Sequence, residues 1–193
     1  MKNLFEYPFI YNLRFLVAGQ QEKTKKFIIE NYKNAFCKSV IDIGCGTGDF
    51  CTLFNPDEYL GVDINKKYID FAIANYPSYK FLQSNILKHN LNHKSYDASI
   101  LVGLLHHLTD SETKTMLGKI VKGTKKIIIV VDLNPYNSLI KRLLIDIDRG
   151  KYVRTTSEKI KLLTKFGKIQ NINHFSTRLA SQTGIIVKPN NGS

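Results

Sequence analysis

Three glycines alternate in Asp42-Ile43-Gly44-Cys45-Gly46-Thr47-Gly48-Asp49, an acid stands nineteen positions after the first of them at Asp63, and two histidines adjoin at His106-His107. Each group has a definite chemistry. Glycine tolerates positive φ and lets a ligand approach the backbone closely. A carboxylate about 20 residues beyond a glycine turn, at the end of the next strand, accepts hydrogen bonds from ribose hydroxyls. A neutral imidazole, with an ordinary pKa near 6.5, suits removal of a proton from an attacking hydroxyl. Together they describe a nucleoside site beside groups able to take a proton.

The dinucleotide fingerprint places its third glycine where this chain has Asp49, and Asp42 adds another acid at the strand end. A pyrophosphate would meet repulsion from both, whereas a ligand with a cationic end would be attracted. Nicotinamide-linked oxidoreduction is therefore disfavoured. Asp42-Ile43-Gly44-Cys45-Gly46-Thr47-Gly48 resembles the first motif of the class I S-adenosylmethionine-dependent methyltransferases, and Val62-Asp63 resembles their ribose-binding acid. That ligand carries an ammonium, a sulfonium and an adenosine, and no phosphate. The resemblance implies S-adenosyl-L-methionine as cofactor, with Asp42, Gly44, Cys45, Gly46, Asp63, Ile64, Asn85, Ile86 and Val102 around it. Cys45 is expected to contribute backbone. Asn85 departs from the acid that the family often places against the adenine amino group; an amide both donates and accepts. Leu104-Leu105-His106-His107-Leu108 resembles a segment that follows strand four in many small-molecule methyltransferases, which makes His106 and His107 the catalytic candidates.

The elements that must position these groups follow from the hydrophobic pattern. Residues 20–33 are predicted to be helical. Strands are predicted at 39–43, 58–62, 79–82, 96–103 and 125–131, with a short helix at 47–54 capped by Thr47 and another from Asn65 to Tyr76. The run at 125–131 is β-branched on both faces, as in a buried parallel strand. Thr109 with Glu112, and Thr155 with Glu158, read as capping boxes opening two helices. A closing pair of strands at 168–177 and 183–188 is expected around a turn at Ser181–Gly184. Alternating strands and helices imply an α/β fold. The resemblance, over about residues 25–190, specifies a Rossmann-like, doubly wound, seven-stranded sheet, mostly parallel with an antiparallel last strand.

The whole chain of 193 residues reads as one domain. Residues 1–33 would cap the cofactor pocket, with Tyr11 and Arg14 as ligand contacts. Residues 133–166 would form an acceptor-side helical insertion. There Leu139, Ile140, Leu143, Leu144 and Ile147 make an apolar stripe, and Asn134, Arg149, Tyr152 and Arg154 are candidates to bind an acidic or phosphorylated acceptor.

No apolar run approaches the ~20 residues that span a bilayer, and no signal peptide is evident. Cys37, Cys45 and Cys51 lack metal or disulfide spacing, so no metal is expected and the protein is placed in the cytoplasm. The net charge of +12 admits a nucleic-acid partner. The lysines are scattered in pairs without a dense run, so a general lysine bias is preferred. The expected activity is methyl transfer to a small-molecule hydroxyl, with an anionic or a sugar- or lipid-linked substrate as the finer expectation. The alternatives are RNA methylation, or a cofactor-binding partner subunit without catalysis. Asn134-Pro135-Tyr136-Asn137 only partly imitates the tetrad of amino-methylating enzymes and follows strand five instead of strand four. Oligomeric state is not legible.

Overall fold

A computed structural model describes residues 21–88, 95–135, 151–176 and 181–190. Along the chain run α1 (Gln21–Asn34), β1 (Val40–Ile43), β2 (Tyr59–Asp63), α2 (Lys66–Asn75), β3 (Lys80–Gln83) and β4 (Tyr96–Val102). They are followed by α3 (Asp110–Gly123), β5 (Thr124–Leu133), α4 (Thr156–Leu163), β6 (Gly167–Ser176) and β7 (Ser181–Pro189). The seven strands form one sheet in the order β3-β2-β1-β4-β5-β7-β6. β1 to β5 pair in parallel, and β7 runs antiparallel to both β5 and β6.

The sheet is covered on both faces because its central strands are apolar on both. Along β5, Ile127, Ile129 and Val131 join Phe27, Ile28 and Tyr32 of α1, with Tyr59 and Phe175. Ile128 and Val130 turn the other way, onto Met116, Leu117 and Ile120 of α3 and Leu162 and Leu163 of α4. Alternation in a strand makes this split. Both expected capping boxes are present, Thr109 with Glu112 on α3 and Thr155 with Glu158 on α4.

Two local readings change. The predicted helix at 47–54 is absent: turns follow the glycines, and only a 3-10 turn forms at Cys51–Leu53. Thr47 caps no helix there; its hydroxyl donates to Asp49. The turn expected at Ser181–Gly184 lies within β7. Gly184 is there for space, since a Cβ would stand 2.7 Å from the Phe27 ring and 2.9 Å from the Phe175 ring. The apolar stripe at 139–147 lies outside the described residues. None of the described helices is long and apolar enough to cross a membrane.

Candidate functional site

β1 and β4 are neighbours although β2 and β3 intervene in sequence, so the strand order reverses between them. Ligands in open α/β sheets bind outside the carboxyl ends at such a point. The glycine turn sits there. Gly44, Gly46 and Gly48 have φ of 75°, 54° and 84°, values that side chains with a Cβ rarely adopt. Gly44 N–H and Cys45 N–H both donate to the Val62 carbonyl, Gly46 N–H to Asp63 Oδ2 and Gly48 N–H to the Cys45 carbonyl. Those four donors are committed within the protein. With no helix N-terminus behind it either, the turn offers little to a phosphate.

Asp63 ends β2 and ties the turn down. Its Oδ2 accepts from Gly46 N–H at 2.9 Å and its Oδ1 from Asn65 N–H at 2.8 Å. Burial raises its pKa, against these backbone donors. Each carboxylate oxygen has a second lone pair, so ribose hydroxyls can still be accepted. Asp42 lies deeper, 1% exposed, and its Oδ2 accepts from the Tyr59 hydroxyl at 2.8 Å. Burial pushes its pKa up to about 7; the Tyr59 bond opposes this, while Asp63 and Asp49 add to it. Asp42, fully buried and half-titrated near neutral pH, and the partly buried Asp63 are thus two acids beside a turn that lacks phosphate donors. This donor set fits a ligand with a cationic end and a ribose diol.

A pH dependence follows. The folded protein holds the Asp42 proton more tightly than the unfolded chain, whose carboxyl titrates near 3.8. This stabilisation is complete below pH ~4 and is lost as pH rises through about 7. Cofactor-free protein should lose about 4 kcal/mol at the limit across that range. Asp42→Asn should flatten the profile, as measured by urea midpoints between pH 4 and 8.

Ile64, Asn85, Ile86 and Val102 all lie at the carboxyl ends of their strands. Ile64 is exposed. Asn85 makes a local turn, its Oδ1 accepting from Leu87 N–H at 2.9 Å. On the acceptor side, β4 leads through Gly103 and Leu104 into a 3-10 turn at Leu105–His107. A Cβ at Gly44 would stand 2.9 Å from Leu104 Cδ1, so this segment abuts the glycine turn.

The two histidines differ. His106 is fully buried, and its Nδ1 lies 2.5 Å from Asp132 Oδ1; Asp132 is 1% exposed. His107 is exposed, with its ring centroid 4.1 Å from that of His106. The pairing follows from the register, because Val102 of β4 sits opposite Val131 of β5. Asp132 Oδ2 is buried with no hydrogen-bond partner among the described residues.

Two buried cations fix the surroundings. Arg154 donates to the carbonyls of Leu105, Leu108 and Tyr152 and twice to Asp110 Oδ1. All five of its N–H groups are committed, leaving none for an acceptor. It fastens the histidine segment from below, helped by Tyr152 N–H donating to the His106 carbonyl. Asp110, hydrogen-bonded by Arg154, titrates below the usual carboxylate range. Lys159, fully buried on α4, donates to the carbonyls of Asp132 and Leu133 and to Asn134 Oδ1. Burial lowers its pKa to about 8, partly offset by Asp132. Asn134 Oδ1 also accepts from Thr183, and its Nδ2 donates to Ser181, so this side chain joins β5, β7 and α4.

Of the expected acceptor contacts, Tyr152 is 41% exposed beside the histidines. Tyr11, Arg14 and Arg149 lie outside the described residues. Sequence reasoning gave no role to Lys159 or to Asp110, which stands inside the Thr109–Glu112 capping box; neither belongs to a chemical motif. Tyr59, partner of Asp42, looked like an ordinary strand aromatic.

Comparison with known proteins bears on this geometry. A family model described as a methyltransferase domain matches residues 40–126. The tRNA (carboxymethyluridine(34)-5-O)-methyltransferase of Saccharomyces cerevisiae is 33% identical over 96 residues. That match covers 46% of this chain and a third (33%) of the yeast protein's length. Among solved structures, a SAM-dependent methyltransferase from Archaeoglobus fulgidus superposes with a TM-score of 0.72 at 21% identity, over 94% of this chain and 99% of that one. Magnesium protoporphyrin IX methyltransferase from Synechocystis with bound SAH gives a TM-score of 0.71 at 19% identity, over 89% and 83%. At these identities the likeness is one of fold.

Proposed function

We propose, for a chain that carries a class I S-adenosylmethionine-dependent methyltransferase domain, methyl transfer to a hydroxyl oxygen of a small-molecule acceptor. The observation that carries the acceptor chemistry is the exposed His107 ring lying on the buried His106–Asp132 pair, in a segment that abuts the glycine turn. When bound, the cofactor supplies a methyl group already activated by its sulfonium. The chain's own residues then do three things. Asp63 and the turn hold the nucleoside in place. Asp42, with the cationic end brought near it, is drawn into its ionised form. His107 meets the acceptor and takes its proton, while His106 and Asp132 keep that ring in position. Alignment supplies much of the acceleration in such a displacement.

Transfer of labelled methyl to hydroxyl acceptors tests this reading. His107→Ala should lower kcat about 100-fold with cofactor affinity unchanged. Unchanged turnover would remove His107 from the chemistry. Buried His106 is a positioning residue here, and His106→Ala should lower both stability and kcat.

A second reading, RNA as the acceptor, is favoured by the likeness to the yeast tRNA enzyme and by the net charge of +12. Incorporation of label into bulk tRNA would separate the two.

A further inference from the structure

At the opposite edge of the sheet, where β1, β4 and β5 begin, one residue is costly to the fold. Phe36 follows α1 with φ of 50°, the one positive φ outside glycine among the described residues, and its side chain is 82% exposed. Its backbone is held firmly. Phe36 N–H donates to the Lys33 carbonyl, and the Lys126 ammonium donates to the Phe36 carbonyl. Helix C-termini ordinarily place glycine at this left-handed position. Here a large aromatic takes the strain and gains little burial.

Its neighbours are cations. Lys33 and Lys38 flank it in sequence and are exposed, Lys126 reaches it from the start of β5, and the exposed Lys125 lies next to Lys126 on the same acid, Asp97. The acid among them, Asp97, has a side chain only 12% exposed. It accepts from Lys38 N–H at 2.9 Å and pairs with Lys126 at 3.2 Å and Lys125 at 3.9 Å. Lysines scattered in sequence are thus gathered by the strand order into one patch around an aromatic.

We propose that Phe36 with Lys33, Lys38, Lys125 and Lys126 forms a docking surface for a single-stranded stretch of RNA, which stacks a base on Phe36 and sets its phosphates on the lysines. Cations along a backbone path with an exposed ring for a base are the two components of such recognition. A lone aromatic knob suits one base better than a lipid surface, which takes an amphipathic face or several apolar side chains. The inference rests on the RNA reading of the acceptor and deepens it. The patch lies one strand length from the cleft, about 20 Å, so a large RNA held here can present another nucleotide to the site.

The test is fluorescence anisotropy of the full chain with a labelled mixed-sequence single-stranded RNA 12-mer, across a salt series. Phe36→Gly should weaken binding about tenfold, with folding and cofactor affinity intact, because glycine is natural at this backbone position. Lys33→Glu with Lys125→Glu should lower the salt slope by about 1 to 2. Unaltered RNA affinity in both variants overturns the proposal, as does wild-type protein that ignores RNA but binds anionic lipid vesicles. Methylation of bulk tRNA with the same KM in Phe36→Gly as in wild type would keep RNA as acceptor and remove this surface. A higher KM at constant kcat supports it.

Discussion

Asp132→Ala is expected to lower stability by about 3–5 kcal/mol, read as a fall in urea midpoint at constant slope. Asp132 and His106 are both sealed from water, and they meet at 2.5 Å. Removing one partner of such a pair leaves the other's donor or charge buried without compensation. The effect should be local. Lys159 holds the Asp132 and Leu133 carbonyls, which the substitution does not touch, so the end of β5 stays in place. Asp132→Asn keeps an acceptor for the imidazole N–H but leaves its amide donors buried where Oδ2 stood, and should cost about 2 kcal/mol, less than alanine. It should still lower kcat, because it withdraws the charge behind the ring that supports His107. An alanine variant within 1 kcal/mol of wild type would show that the pair contributes little. The unpartnered Asp132 Oδ2 narrows the gap between the two variants. The native carboxylate already carries one unsatisfied oxygen, and the asparagine amide would place two donors in the same space.

The groups with the clearest sequence signals are those whose function depends on local spacing. The glycine turn and Asp63 are separated by one crossover, and chain geometry alone brings them together. The capping boxes at Thr109 and Thr155 are local as well, and both form. What escaped the sequence depends on distant neighbours. His106 stood out in the sequence, but its pairing with Asp132 needs the register of β4 against β5. Arg154 and Lys159 were illegible for another reason: charged side chains are almost always at the surface. Arg154 was read as a surface cation for an acidic acceptor, yet it is 7% exposed and saturated by carbonyls and Asp110. Gly184 misled because glycine signals a turn in sequence, whereas here it makes room for two phenylalanine rings. The helix after Gly48 failed because nothing there caps one, Thr47 bonding Asp49 instead.

Asp63→Ala should weaken S-adenosylhomocysteine binding about 1000-fold in calorimetric titration. Two contributions add. A carboxylate accepting two ribose hydroxyls gives charge-assisted hydrogen bonds of about 2 kcal/mol each, and 1.4 kcal/mol is tenfold. The same carboxylate also secures the glycine turn through Gly46 N–H, and α2 starts where its other oxygen meets Asn65 N–H. Asp63→Asn separates the two. An amide oxygen can still accept from one of these backbone donors, so the turn should keep most of its shape while half of the ribose recognition is lost. Its affinity should fall between wild type and alanine, about 30-fold below wild type. Equal losses in both variants would mean that ribose recognition, not support of the turn, dominates. Undiminished binding by Asp63→Ala would place the nucleoside elsewhere. The positive φ values of Gly44, Gly46 and Gly48 would then need another cause, because their shared effect is to bring backbone close to whatever Asp63 holds.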